Sequence, residues 1–125
     1  MQWRVTMLES VLITLRALRS PFVFVEAELH QQIITQFNRM KIPYRHEMTI
    51  GKLGRIDFWV DGIGIEVKKG KPNIKMLINQ LTQYSHSEQI KQLIVVSQKK
   101  LNLPTSINNK PVYVVALDSM WGVAI

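Results

Sequence analysis

The fold is decided by the stretch Gly54-Arg55-Ile56-Asp57-Phe58-Trp59-Val60-Asp61-Gly62-Ile63-Gly64-Ile65-Glu66-Val67-Lys68. At its centre is Asp61-Gly62, a dipeptide that tolerates the positive φ angles of a two-residue type I′ turn. Apolar and β-branched residues flank this dipeptide on both sides. The stretch therefore predicts a β-hairpin.

The register of this hairpin brings two carboxylates together. If Val60 pairs with Ile63, Asp57 lies directly opposite Glu66. Opposed positions hold their Cβ atoms roughly 4.5 to 5.5 Å apart, and like charges repel at that distance. Something between the two carboxylates is needed to make this arrangement tolerable.

Strict alternation of side chains predicts two different faces for the hairpin. The predicted polar face carries Arg55, Asp57, Trp59, Gly64, Glu66 and Lys68. The predicted core face carries Ile56, Phe58, Val60, Ile63, Ile65 and Val67. The preceding segment, from Tyr44 to Ile50, also alternates as a strand, and its predicted apolar side carries Tyr44, His46, Met48 and Ile50.

Two opposed carboxylates are suited to Mg²⁺, a hard cation that prefers oxygen ligands and keeps several waters. Lys68 beside such an ion is able to stabilise negative charge on a phosphate or to orient a water nucleophile. The alternative is a solvated sheet face, which is what a Glu-x-Lys triplet in a strand usually means. The opposed position of Asp57 favours metal binding.

Gly54-Arg55-Ile56-Asp57, followed after eight residues by Glu66-Val67-Lys68, resembles the G-x-x-D … E-x-K core of the PD-(D/E)xK nuclease superfamily. Its members include restriction enzymes and archaeal-type Holliday junction resolvases. Ile56 replaces the proline that names the motif, as in many divergent members. The resemblance covers roughly residues 20–117.

This resemblance implies an α/β fold with a restriction-endonuclease-like core, in which helices flank a central mixed β-sheet. It implies a DNA endonuclease that hydrolyses phosphodiester bonds with a metal-activated water, assisted by Lys68. In such enzymes the Asp and the Glu, here Asp57 and Glu66, bind Mg²⁺ together with the main-chain carbonyl of the residue between Glu and Lys, here Val67. Mn²⁺ is expected to substitute for Mg²⁺.

A helix is predicted from Ser20-Pro21, a cap residue followed by proline at the first helical position, to about Met40. Its predicted core stripe consists of Phe22, Glu26, Leu29, Ile33, Phe37 and Met40. A carboxylate on a core-facing stripe needs a partner, and the metal centre would supply one. His30 lies near this stripe, where a lone histidine is expected to be structural.

A second observation supports Glu26 as a metal ligand, and one alternative interpretation remains. Glu26-Ala27-Glu28-Leu29 resembles the E-x-E-L pattern on the first core helix of the junction resolvases, where the first glutamate completes the metal site. The alternative is that Glu26 sits near the helix start and interacts favourably with the helix dipole.

Basic residues around the motif are candidate contacts to DNA phosphates, which position a nuclease without reading sequence. Lys52 and Arg55 lie at the entry to the hairpin, and ordinary solubilising charge is the alternative for both. The basic loop and the helix that follow the hairpin add the candidates Lys69, Lys71 and Lys75.

Gln80 and Tyr84 lie one turn apart on that following helix. Their spacing resembles the Q-x-x-x-Y motif found after E-x-K in the nuclease domains of bacterial recombination helicase-nucleases. The resemblance implies that Gln80 lies near the active site and that Tyr84 contacts DNA or packs beside it. The alternative is an amphipathic helix with Tyr84 in the core and Gln80 exposed.

The composition predicts one domain with a polyanionic partner. A chain of 125 residues is large enough for a single core. We divide it into an N-terminal helical extension (1–19), a nuclease core (20–117) and a C-terminal extension (118–125). The net charge of +7 favours a partner such as DNA.

The location expected from the composition is cytoplasmic. The absence of cysteine excludes disulfides and thiolate metal sites and fits a reducing compartment. Glu9 and Arg16 interrupt the apolar run that a secretory signal would need. No segment has the uninterrupted apolar length of a membrane span, so no membrane partner is expected.

The predicted order of elements is helix, helix, three strands, helix and two strands, with residues 99–110 as a loop before the last strand. A chain this small encloses little DNA, so paired cutting predicts a homodimer. Two other interpretations remain open. One is a catalytically inactive nuclease-like module that binds DNA, and the other is a structural protein that oligomerises through its N-terminal helix.

Overall fold

The computed structural model describes residues 5–18 and 26–118, which form three helices and a six-stranded sheet. The elements are α1 (Met7–Arg16), α2 (Glu26–Arg39), β1 (Arg45–Thr49), β2 (Arg55–Val60), β3 (Ile63–Lys68), α3 (Ile74–Ser85), β4 (Gln92–Ser97), β5 (Ser106–Ile107) and β6 (Lys110–Ala116). The predicted helices and the five predicted strands are confirmed in these ranges. The predicted Ser20-Pro21 helix start and residues 119–125 of the C-terminal extension lie outside the described residues.

The sheet is mixed, as predicted, with the strand order β1-β2-β3-β4-β6-β5. β1, β2 and β3 form an antiparallel meander. β3, β4 and β6 are parallel, and α3 is the crossover that joins β3 to β4. A parallel pair needs such a crossover because a tight turn cannot join two strands that run in the same direction.

The hairpin register is confirmed. Val60 pairs with Ile63, and Trp59 pairs with Gly64. Asp61 and Gly62 have φ angles of 46° and 87°, the positive values that a type I′ turn requires at both positions.

One predicted loop contains a strand. Within residues 99–110, which we expected to be irregular, β5 pairs with the beginning of β6. Asn108 and Asn109 form the turn between them, with φ angles of 51° and 64°. Asparagine tolerates the left-handed region better than most residues, so this pair supports a tight turn without glycine.

The core has two layers, one on each face of the sheet. The first layer joins α1 and α2 to the sheet, and its central residues include Leu15, Ile33, Phe37, Phe58 and Ile65. The second layer joins α3 to the opposite face, and its central residues include Ile56, Leu77, Leu81, Tyr84 and Leu93. α1 therefore packs as part of the domain.

The prediction of strict alternation in β1 and β2 is wrong at one point. Phe58 packs in the first core layer, whereas Ile56 packs in the second, although both were expected on one face. Met48, the β1 partner of Ile56, also belongs to the second layer. Between these pairs lies Glu47, whose φ of 54° is not that of an extended strand, so the pleat is interrupted there.

The core stripe of α2 is confirmed at Leu29, Ile33 and Phe37, which are buried. It is wrong at its two ends, because the Glu26 side chain is 48% exposed and Met40 is exposed. Leu29 is the first buried residue of α2 among those described, and the Glu26 side chain one turn before it does not reach the core. Phe22 lies outside the described residues.

Gly64 allows the hairpin to approach its neighbours closely, and Gly64→Ala is expected to destabilise the fold. A Cβ atom there would lie 2.4 Å from Ile56 Cδ1 and 3.0 Å from Ile90 Cδ1. Overpacking of this kind costs about 1–3 kcal/mol, measurable by urea unfolding. Ile56→Val removes the nearer atom, so the double variant should recover part of the loss. Strictly additive effects would contradict this account.

Candidate active site

Glu66 lies on β3 in an almost completely buried position, with 4% of its surface exposed. Its neighbours Ile65 and Val67 pack in the first core layer, so Glu66 points to the α3 side of the sheet. The Lys68 ammonium lies 3.3 Å from Glu66 Oε2. A buried carboxylate with one cationic neighbour is thus fixed at the carboxyl end of β3.

Asp57 and Glu66 meet where the main-chain pairing of β2 with β3 ends. The pairing runs from Val60 to Phe58 on β2. Beyond Phe58, side-chain carboxylates accept hydrogen bonds from main-chain N–H groups. The Val67 N–H donates to Asp57 Oδ2 at 2.7 Å, and the Asp57 N–H donates to Glu66 Oε1 at 3.4 Å. The two acidic side chains are therefore tied to each other's strands.

The proximity of these groups changes the acidity of Glu66. Burial raises the pKa of Glu66 to about 7, and the Asp57 carboxylate adds to this increase. The Lys68 ammonium acts in the opposite direction but does not cancel the effect. A divalent cation would offset both the burial and the repulsion, so the donor set fits a hard metal ion.

Asp57 and Glu66 lie close to each other and share a neighbour. Besides burial, both carboxylates raise the pKa of Tyr84 of α3, and the Asp57 carboxylate also raises the pKa of Glu66. Asp57 Oδ2 lies 3.8 Å from His30 Nε2 of α2. The two acidic groups therefore meet at the end of the β2–β3 pairing, with His30 beside Asp57.

His30 connects Glu26 to this site, a role that the sequence analysis missed. Its Nε2 atom lies 3.8 Å from Glu26 Oε1 and 3.8 Å from Asp57 Oδ2. The same atom is buried and has no hydrogen-bond partner among the described residues. One donor atom from each of the three residues lies within 4.8 Å of the others, which is compatible with a shared cation. The spacing of Glu26 and His30 by four residues was the available signal.

His46 of β1 holds the other side of the His30 ring. The distance from His30 Nδ1 to His46 Nε2 is 2.9 Å, a hydrogen bond in which one ring donates and the other accepts. His46 also stacks on Phe58, with ring centroids 4.7 Å apart. Histidines that bind metals commonly donate their second ring N–H to a partner, and His46 is placed to accept it.

Gln80 and Tyr84 lie close to the site, but Tyr84 does not face solvent. Gln80 Nε2 donates to the Tyr84 hydroxyl at 3.0 Å, and that hydroxyl donates to the Arg55 carbonyl at 2.9 Å. Tyr84 is 1% exposed, so the predicted contact between Tyr84 and DNA is wrong. Burial raises the pKa of Tyr84 above its usual range, so the hydroxyl stays neutral and supports the start of β2.

The other basic candidates lie on the surface. Lys52, Lys69, Lys71 and Lys75 are exposed. Arg55 is also exposed, and its guanidinium lies 3.1 Å from Glu47 Oε2. These placements leave all five residues accessible to a polyanion.

Comparison of the chain with protein-family models, with curated proteins and with solved structures found no match. None of the helices in the described ranges combines the length and apolar character needed to cross a membrane.

Proposed function

We propose that this chain is a metal-dependent DNA endonuclease of the PD-(D/E)xK type, with a restriction-endonuclease-like core. The observation that carries the proposal is the coupling of Asp57 to a buried Glu66 with the Lys68 ammonium 3.3 Å from Glu66 Oε2. A purely structural strand gains little from a buried carboxylate whose pKa stays raised despite a neighbouring ammonium, since burial of such a charge is costly. Perturbed carboxylates of this kind cluster at functional sites.

Asp57, Glu66 and the Val67 carbonyl would hold Mg²⁺ or Mn²⁺, and Glu26 and His30 are available on the α2 side. The bound ion supplies an activated water and neutralises charge on the phosphate. The Val67 N–H fixes the orientation of Asp57. Lys68, which is partly exposed, is placed to donate to a phosphate oxygen or to orient the attacking water.

The surroundings of the site support DNA as the substrate. The net charge of +7 favours a polyanion, and exposed lysines follow β3 directly. Paired cutting of two strands would require a second copy of the chain, so a homodimer is part of the proposal. The cysteine-free composition supports a reducing, cytoplasmic setting.

The proposal is tested by incubating the protein with branched, linear and supercoiled DNA in the presence of Mg²⁺, Mn²⁺ or EDTA. We expect cleavage with either metal and none with EDTA. Lys68→Ala should reduce the rate about 10²-fold, because the charge that stabilises the phosphate is lost. Lys91→Ala, at an exposed position at the opposite end of the sheet, is the matched control.

Two results would count against this assignment. Cleavage that persists in EDTA would exclude the metal site, and an unaffected Lys68→Ala variant would exclude Lys68 from the reaction. Metal binding without cleavage of any DNA would favour the inactive DNA-binding module.

A further inference from the structure

A cavity of about 260 Å³ lies between the loop that follows β3 and the loop that follows β4. These strands are parallel neighbours, and Lys68 pairs with Ser97 where they end. The carboxyl ends of both strands therefore open on one edge of the sheet, beside the residue proposed to act on the phosphate. Crevices at the carboxyl ends of parallel strands are common ligand sites in α/β proteins.

The lining of this cavity combines cationic and apolar groups. Lys71, Lys99 and Lys100 contribute ammonium groups, and Pro72, Ile74 and Leu101 contribute apolar surface. None of the described residues that line it is acidic. The lysine side chains are exposed, so their charges are available to a ligand.

The loop that carries Lys99 and Lys100 is held by hydrogen bonds at its start. The buried Ser97 hydroxyl donates to the Lys99 carbonyl at 2.5 Å. The Asp118 N–H donates to the Gln98 carbonyl at 2.8 Å, which brings one carboxylate to this region but not into the lining. The two lysines therefore extend from an anchored turn.

We propose that this cavity binds an unpaired nucleotide of the DNA strand next to the cleavage site. Ammonium groups pair with phosphates, and the apolar surface suits the sugar and the base. A base inside a duplex has to be unpaired and unstacked before it enters the cavity, which costs free energy, whereas a base in a single strand largely avoids that cost. The inference rests on the proposed function and deepens it, because it selects single-stranded or branched DNA over continuous duplex.

The test measures binding without metal, so that cleavage plays no part in the readout. Fluorescence anisotropy is recorded with a short labelled oligothymidylate and with a duplex of the same length, in EDTA and at several salt concentrations. The wild-type protein should bind the single strand more tightly. Lys99→Glu combined with Lys100→Glu should weaken that binding about tenfold and reduce the salt slope by about 1.4, the value for two lost phosphate contacts on a single strand.

Matched variants distinguish binding in this cavity from a general effect of the protein's net charge. Lys41→Glu combined with Lys91→Glu changes the net charge equally at exposed positions away from the cavity, and should weaken binding by about twofold or less. Leu101→Gln removes apolar surface without changing charge, and should weaken single-strand binding while leaving the salt slope unchanged. Thermal melting confirms that each variant is folded, and Lys99→Ala with Lys100→Ala replaces the charge reversal if that variant unfolds.

The inference is overturned if both double variants lose affinity equally, or if duplex binding falls as much as single-strand binding. It is also overturned if Leu101→Gln has no effect. A wild-type protein that cleaves DNA while the cavity variants bind normally would reject this inference and leave the proposed function intact. Single-strand binding that depends on the cavity, without cleavage under any metal, would support binding in the cavity and reject the proposed nuclease function.

Discussion

Asp57→Asn is expected to reduce metal-dependent cleavage of DNA about 10³-fold, as measured by single-turnover assays with Mg²⁺. The amide oxygen still accepts the hydrogen bond from the Val67 N–H, so the strand connection is kept. What is lost is the negative charge that a divalent ion needs. The variant should remain folded and should bind Mn²⁺ more weakly in titration calorimetry.

The control is Glu28→Gln, which removes an exposed carboxylate from the same helix that carries His30. It should leave cleavage within about twofold of the wild-type rate. An Asp57→Asn variant that is folded and fully active would remove Asp57 from the site. Equal losses in both variants would point to a general effect of charge.

Glu66→Gln is expected to stabilise the metal-free protein at pH 8 by on the order of 3 kcal/mol relative to its effect at pH 4. The folded-state pKa of Glu66 is about 7, above the ordinary value of 4.5, so the folded protein holds this proton more tightly than the unfolded chain. The stabilising contribution is complete below pH 4.5 and is lost as the pH rises to about 7. Glutamine stays neutral throughout and avoids that loss, which urea unfolding in EDTA at each pH measures.

Magnesium should reverse the order of stability of Glu66→Gln and the wild-type protein at pH 8. The ion favours ionised Glu66, so it should stabilise the wild-type protein at pH 8 and stabilise Glu66→Gln much less. Glu88→Gln, an exposed position, provides the control without a pH-dependent gain. If Glu66→Gln and Glu88→Gln change stability by the same amount at every pH, the raised pKa of Glu66 is not a property of the folded protein.

Local chemistry made the hairpin predictable, and long-range packing made its details unpredictable. Asp61-Gly62 specifies the turn and thereby the register, because both depend on a few adjacent residues. The interruption of the pleat at Glu47 depends on the two core layers that β1 and β2 join. Alternation alone carries no information about that interruption, so Ile56 and Met48 were placed on the wrong face.

The candidate site, like the hairpin, was predictable where it depends on local sequence and unpredictable where it depends on long-range packing. Asp57, Glu66 and Lys68 belong to one hairpin, and their proximity follows from the register. His30 approaches Asp57 through the packing of α2 on the sheet, which a helical stripe does not specify. Tyr84 was expected near DNA from motif spacing, but its burial follows from the packing of α3 on the face of the sheet that carries Ile56 and Leu93.

The meander of β1, β2 and β3 has a consequence for the sequence distance over which the site is assembled. Asp57, Glu66 and Lys68 lie within twelve consecutive residues, and their strands are joined by a tight turn. The parallel pairing of β3 with β4 instead spans the α3 crossover. The acidic pair therefore depends on local contacts, whereas the positions of Tyr84 and of the lysine-rich cavity depend on contacts between segments that are distant in the chain.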